Sequence, residues 1–146
     1  MSYPDFVTPR HARPPQQAAA IPIRRRGTDL QVCLIRKLAS GSWGIPKGTV
    51  DSGRTHAFTA LNEAWEEAGL RGRLVGDPLG TYEYEKLGRA LTVLVFVMEV
   101  LEHHDVWMEA AIRERRWVSV KEAEMLLIEH PVHGFLGRAQ RLFTEV

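Results

Sequence analysis

Three glutamates stand at the end of one predicted helix and could hold a metal ion. Glu63, Glu66 and Glu67 are three and four residues apart, so a helix places Glu63 beside both others on one face. Like charges at this spacing repel by about 0.2–0.5 kcal/mol per pair. The negative end of the helix dipole costs each carboxylate about 0.3–1 kcal/mol more, and the last turn has no Lys or Arg. A bound Mg²⁺ ion would offset these costs, because Mg²⁺ prefers a few carboxylates with water and phosphate oxygens.

The loop before this helix favours a ligand site over the simpler alternative, a solvated acidic surface. For an isolated Glu-x-x-Glu-Glu the solvated surface is the better interpretation, because acidic helix ends are common. Residues 41–48, however, read Gly-Ser-Trp-Gly-Ile-Pro-Lys-Gly. The glycines let the backbone approach a ligand closely, and Lys47 supplies a positive charge suited to phosphate. Loop and helix together predict a site for a phosphorylated ligand.

This loop and helix resemble the signature of the Nudix hydrolase family. That signature runs Gly, five residues, Glu, seven residues, then Arg-Glu-apolar-x-Glu-Glu-x-Gly-apolar. Seven of its nine defined positions match at fixed spacing over 23 residues. The matching residues are Gly48, Glu63, Ala64, Glu66, Glu67, Gly69 and Leu70. Two positions depart, because Arg54 replaces the first Glu and Asn62 replaces the Arg.

The two departures bear on whether the chain is an enzyme. In the family, the missing Arg helps to orient the catalytic glutamates, and the first Glu has a supporting electrostatic role. Asn62 can donate hydrogen bonds but carries no charge, so it would hold a neighbouring carboxylate less firmly. Arg54 reverses a charge, and two roles stay open for it: pairing with a glutamate of the signature or binding substrate phosphate. Because the carboxylates are intact, we expect an active enzyme.

The resemblance implies a Mg²⁺- or Mn²⁺-dependent hydrolase that splits diphosphate bonds in small phosphorylated molecules. Glu63 and Glu67 are then the principal metal ligands, while Glu66 holds a further ion or positions water. The backbone carbonyl of Lys47 is an added ligand, and one of the three glutamates accepts the proton of the attacking water. Two alternatives remain: a catalytically weak module that binds a phosphorylated ligand, and an acidic-helix interaction domain with no active site.

Segments outside the signature resemble the subgroup that cleaves diphosphoinositol polyphosphates and diadenosine polyphosphates. They are 43–48 (Trp-Gly-Ile-Pro-Lys-Gly), 106–109 (Val-Trp-Met-Glu) and 115–118 (Arg-Arg-Trp-Val). These substrates are highly anionic, so basic residues should matter, both near the signature and at 113–116. The predicted substrate-binding residues are Lys47, Arg54, Arg26 and Arg36. For each basic cluster the alternative is a solvated strand edge.

Composition sets limits on the class of protein. The chain has 146 residues and a net charge of +1, which argues against a dedicated nucleic-acid binder or a membrane-surface protein. Cys33 is the single cysteine, so no internal disulfide forms. The longest apolar run, 91–98, is too short to span a bilayer. We expect a cytoplasmic protein whose partner is its small-molecule substrate, and formation of a homodimer stays open.

The order of predicted elements indicates how the signature is positioned. We predict a poorly ordered arm over residues 1–18 and a single domain over 19–146. The predicted strands cover 19–26, 30–36, 74–100 and 114–118, and the predicted helices cover 57–68, 120–128 and 133–143. The helix with the glutamates should begin after Thr55, end at Gly69 and bury Phe58, Leu61, Trp65 and Ala68. Mixed strands with an inserted helix and later helices predict an α/β (α+β) sandwich, and the family resemblance makes its mixed sheet curved, with helices on both faces.

Overall fold

The computed structural model describes residues 14–144, which fold around one seven-stranded sheet. The strands are β1 (Gln17–Arg26), β2 (Asp29–Lys37), β3 (Lys47–Thr49), β4 (Leu70–Leu74), β5 (Gly80–Lys86), β6 (Arg89–His103) and β7 (Arg113–Ser119). The helices are α1 (His56–Ala68), α2 (Val120–Leu126) and α3 (Leu136–Thr144), with a 3-10 helix (Pro131–Phe135) before α3. No helix within these residues is long and apolar enough to cross a membrane.

Strand β1 forms the centre of the sheet. The order is β4-β6-β1-β2-β7, with β3 paired to β1 and β5 paired to β6. Strand β1 runs parallel to β6 and antiparallel to β2 and β3, so the sheet is mixed. The pairing of Ala18 with Gly48 and of Ala19 with Lys47 fixes the loop before α1 to the middle of the sheet.

Helices cover both faces of this sheet. On one face, the small residues of α1 pack against residues such as Leu94 and Met98 of β6. On the other face, Leu127, Leu136 and Phe143 pack against the opposite side of the same strands. The predicted sandwich of a mixed sheet between helices is confirmed.

The ends of α1 were predicted correctly, and its buried face was predicted in part, since Ala68 is buried and Leu61 packs against the core. The Thr55 hydroxyl accepts a hydrogen bond from the Phe58 amide at 3.0 Å, and Gly69 ends the helix with a φ of 69°. Phe58, however, is 43% exposed, while Ala60 and Ala64 are fully buried. The helix presents its alanines to the sheet because small side chains allow close approach. Of the larger apolar residues, Leu61 packs partly buried against the same cluster, whereas Phe58 is exposed.

Several other predicted ends of strands and helices differ from those in the structure. Of the predicted arm, residues 1–13 lie outside the described part of the chain, whereas Gln17 and Ala18 already belong to β1. The predicted strand region 74–100 resolves into three strands, the first of which begins at Leu70. The predicted last helix is divided, because Pro131 opens a 3-10 turn before α3.

Candidate active site

The last turn of α1 carries Glu67 into the interior, where two donors hold its carboxylate. Glu67 is only 7% exposed. The backbone amide of Lys47 donates to Glu67 Oε1 at 3.1 Å, and Arg113 Nη2 donates to Glu67 Oε2 at 3.1 Å. These donors come from β3 and β7, so the sheet itself fixes the orientation of this side chain.

Glu63 lies one helical turn before Glu67, so the two carboxyl groups are neighbours on α1. Burial raises the pKa of Glu67 to about 8, and the charge of Glu63 acts in the same direction, while Arg113 and the Lys47 amide oppose the shift. Burial also raises the pKa of Glu63, with a further contribution from Glu66. The charged forms of both carboxyl groups are therefore disfavoured, and a nearby cation would stabilise them.

Gly48 makes room for this pair. A Cβ atom at position 48 would overlap the carboxyl group of Glu63, so any side chain there would displace it. This close approach explains in physical terms why the signature opens with glycine.

Asn62 takes part in the site through the third glutamate. Its Nδ2 donates to Glu66 Oε2 at 2.7 Å. The residue at the family's arginine position therefore orients Glu66, whereas the guanidinium group on Glu67 comes from Arg113, 46 residues further along the chain.

The glutamates supply only part of the ligand set of a metal ion, and the phosphate oxygens of the substrate would complete it. Among residues 14–144, no three His, Cys, Asp or Glu side chains converge closely enough to hold an ion. Glu63 and Glu67, however, are adjacent oxygen donors with raised pKa values. Mg²⁺ is commonly bound by one or two carboxylates together with water and substrate phosphates. This pair fits that donor set, because a dication would supply the positive charge that stabilises both carboxylates.

A cleft of about 290 Å³ opens beside the glutamates, and Arg54 lies in its wall with Glu63 and Glu66. The Arg54 guanidinium lies over the Phe58 ring, 4.6 Å from its centroid. Arg54 takes part in none of the ion pairs found among the described residues. The sequence left two roles open for Arg54: pairing with a glutamate or binding phosphate. Among the described residues Arg54 has no carboxylate partner, and it lines the cleft, which favours phosphate binding.

A second cavity, of about 310 Å³, lies on the other side of Thr49 and adds basic residues that the sequence analysis missed. Lys86 and Arg89 line it from the hairpin between β5 and β6. Thr49 lines both cavities, so the hairpin cavity is a neighbour of the cleft beside the glutamates. Nothing local marks Lys86 and Arg89, because only the pairing of β6 with β1 brings them to β3.

The other predicted substrate-binding residues are distributed unevenly. Lys47 lies in the site, where its Nζ donates to the Tyr84 hydroxyl at 3.3 Å. Arg36 lies over the Trp43 ring and donates to Glu114 Oε1 at 2.6 Å, so it already has a carboxylate partner. Arg26 is at the far end of β1, seven residues from the position that pairs with Lys47. At 3.3 Å per residue this is roughly 23 Å, so the structure does not bring Arg26 to the site.

The chain is similar in sequence to several proteins of known family. It is 38% identical over 104 residues to Nudix hydrolase 13, mitochondrial, of Arabidopsis thaliana, which covers 64% of this chain and 52% of that protein. It is 29% identical over 122 residues to diphosphoinositol polyphosphate phosphohydrolase 3-alpha of Mus musculus, covering 82% of this chain and 73% of that one. The chain thus spans about half the length of the plant relative.

Solved structures share the fold. An Ap4A hydrolase from C. elegans, in a binary complex, superposes with a TM-score of 0.74 at 22% identity, over 89% of this chain and 97% of that one. A NUDIX hydrolase from Nitrosomonas europaea gives a TM-score of 0.67 at 18% identity, over 88% and 89% of the two chains. The family model of the NUDIX domain matches residues 14–136, and Nudix hydrolases generally use divalent metal ions. This chain therefore belongs to the NUDIX domain family.

Proposed function

We propose that this protein is a Mg²⁺- or Mn²⁺-dependent hydrolase that cleaves diphosphate bonds in small phosphorylated molecules. The observation that carries the proposal is the pair of a buried Glu67, held by donors from two strands, and a half-buried Glu63, which lies against Gly48. Burying two adjacent carboxyl groups is costly unless a positive charge or a proton accompanies them. A fold that maintains such a pair beside an open cleft is suited to divalent-ion chemistry.

Each residue of the site has a role in this proposal. Glu63 and Glu67 would hold the ion, with Glu66 and the backbone carbonyl of Lys47 as further oxygen donors. A bound Mg²⁺ or Mn²⁺ ion would lower the pKa of water and neutralise charge on the leaving phosphate. One of the glutamates would accept the proton of the attacking water, which a carboxyl group with a raised pKa does well near neutral pH.

The charge of the surface beyond the glutamates supports a highly anionic substrate. Arg54 lies in the first cleft, and Lys86 and Arg89 lie in the adjoining cavity. The similarity to a diphosphoinositol polyphosphate phosphohydrolase supports the same class. We therefore propose diphosphoinositol polyphosphates or dinucleoside polyphosphates as substrates.

One observation favours a second candidate function, a module that binds a phosphorylated ligand without turning it over. Both oxygens of Glu67 already accept hydrogen bonds, from the Lys47 amide and from Arg113, so a metal ion must compete with these two donors for the carboxylate. An interaction domain that only displays acidic residues is less well supported, because Glu67 is buried rather than open to solvent.

A phosphate-release screen separates the two functions. The purified chain is incubated with Mg²⁺, Mn²⁺ or EDTA and with diphosphoinositol polyphosphates, dinucleoside polyphosphates, nucleoside triphosphates and ADP-ribose. We expect metal-dependent release from one of the first two classes and none with EDTA. The matched control is Glu67→Gln, which keeps the shape of the side chain. Tight binding of these compounds with no release in any metal would favour the binding module.

The cellular location and the oligomeric state of the protein can be tested separately. We propose a cytoplasmic protein, although the plant relative is named as mitochondrial. Fractionation of cells that express the full chain tests the location, and light scattering tests whether a homodimer forms.

A further inference from the structure

We propose that Arg113 is a positioning residue, which holds the Glu67 carboxylate for catalysis from outside the signature helix. This inference rests on the proposed function, because it assigns Arg113 a purpose only if Glu67 takes part in the reaction. The structural link is direct, since Arg113 Nη2 donates to Glu67 Oε2 at 3.1 Å.

The contacts of Arg113 are with carboxylates of the protein, as expected for a residue that positions another side chain rather than binding substrate. Its Nε donates to Glu109 Oε1 at 2.6 Å while its Nη2 reaches Glu67, so one planar guanidinium bridges two carboxylates. The Arg113 side chain is only 14% exposed. With the Lys47 amide on Oε1, each oxygen of Glu67 has its own donor, which fixes the plane of the carboxylate.

Arg113 belongs to a segment that also holds the end of α1. The last carbonyl groups of a helix have no partner within the helix. Here the Glu66 carbonyl accepts from the Glu109 amide at 3.1 Å, and the Glu67 carbonyl accepts from Trp107 Nε1 at 3.0 Å. The Ala68 carbonyl accepts from Arg115 Nη1 at 2.6 Å. We call residues 107–115 the clasp, because three of its members bind three successive carbonyl groups.

The clasp fixes the position of Arg113 relative to Glu67. Side chain and main chain of Glu67 are both bound by the same segment, through Arg113 and Trp107. A shift of the helix end would therefore move the carboxylate and its support together. Asn62, which occupies the family's arginine position, bonds to Glu66 and leaves the Glu67 side chain to Arg113. A neighbour that orients a ligand typically contributes about 10–100-fold to metal affinity or activity.

Kinetics of Arg113 variants test the proposal, with the substrate that the unchanged protein hydrolyses fastest in the screen above. Arg113→Gln should lower kcat at least about tenfold and change KM by less than about threefold. Arg113→Lys keeps the charge but cannot bridge Glu67 and Glu109 as a planar fork does, so its kcat should also fall. Arg116→Gln is the matched control: it removes one charge from the same strand, where Arg116 pairs with Glu122. A rise in KM at unchanged kcat would overturn the proposal in favour of substrate binding, as would equal behaviour of Arg113→Gln and Arg116→Gln.

Stability of the metal-free protein provides a readout that does not depend on turnover. Arg113→Gln should lower the urea midpoint at pH 9 more in the wild-type background than in Glu67→Gln, because only the former leaves a buried, ionised carboxylate without its cation. Equal shifts in both backgrounds would refute the support of Glu67 by Arg113. If no substrate is cleaved by any protein yet the shifts differ, the structural link stands and the proposed function fails.

Discussion

A side chain on Gly48 and the carboxyl group of Glu63 cannot occupy their present positions together. Gly48→Ala should therefore push Glu63 away from Glu67 and reduce kcat by at least about tenfold, at a smaller cost in stability because the end of the Glu63 side chain can move. Steady-state kinetics and urea unfolding measure the two effects. Gly134→Ala is the control, because a Cβ there meets no atom within 4 Å. Equal stability and activity in the two variants would mean that the Glu63 position does not matter.

Glu67→Gln should remove nearly all turnover and leave the fold intact. A neutral amide has almost the same shape, but it is a poor ligand for a hard cation and cannot accept a proton. We expect kcat to fall at least about a hundredfold, the scale associated with an acid–base group. Circular dichroism serves as the check on folding. A correctly folded variant with unchanged kcat would refute the role of Glu67.

The stability of the metal-free protein should fall as pH rises through neutrality. The pKa of Glu67 is about 8 in the folded chain, against an ordinary value of 4.5. Between these values the folded state holds a proton that the unfolded state has released, so each pH unit lowers stability by up to about 1.4 kcal/mol. Above pH 8 this effect ends. Urea unfolding from pH 5 to 8.5 should show the decline, and Glu67→Gln should reduce it. Saturating Mg²⁺ should reduce the decline as well; a profile that stays flat without metal would contradict the raised pKa.

Arg54→Glu distinguishes the two roles considered for Arg54. Because Arg54 faces the cleft and has no carboxylate partner among the described residues, we predict a higher KM for highly charged substrates and little change in metal affinity. The comparison uses Arg54→Gln, which removes the charge without reversing it and should have a smaller effect. A lower kcat with weaker Mn²⁺ binding would instead support pairing with the glutamates. No change in any of these quantities would mean that Arg54 is a solvated loop residue.

The sequence predicted the parts of the site that depend on local spacing. The glutamates, the ends of α1 and Gly48 lie within 23 residues, and helical geometry alone places Glu63 beside both Glu66 and Glu67. The buried face of α1 was predicted correctly at Ala68 but not at Phe58, because large apolar residues dominate the periodic pattern. Contact with the sheet favours the small side chains of Ala60 and Ala64.

Contacts between distant segments could not be predicted in the same way. Arg113 is 46 residues from Glu67, and its contact follows from the pairing of β7 with β2 and from the carbonyl bonds of the clasp. The same limit applies to Lys86, which reaches the neighbourhood of Thr49 only across the sheet. Arg26 shows the converse error, since a basic residue close to the signature in sequence lies at the far end of β1.

The most direct test of the account is to locate a divalent ion. Crystals grown with Mn²⁺ and measured at the manganese absorption edge would show an anomalous peak at any bound ion. We predict a peak with oxygen ligands from both Glu63 and Glu67, lost in crystals of Glu67→Gln. An ion bound elsewhere, with neither of these carboxyl groups among its ligands, would contradict the account.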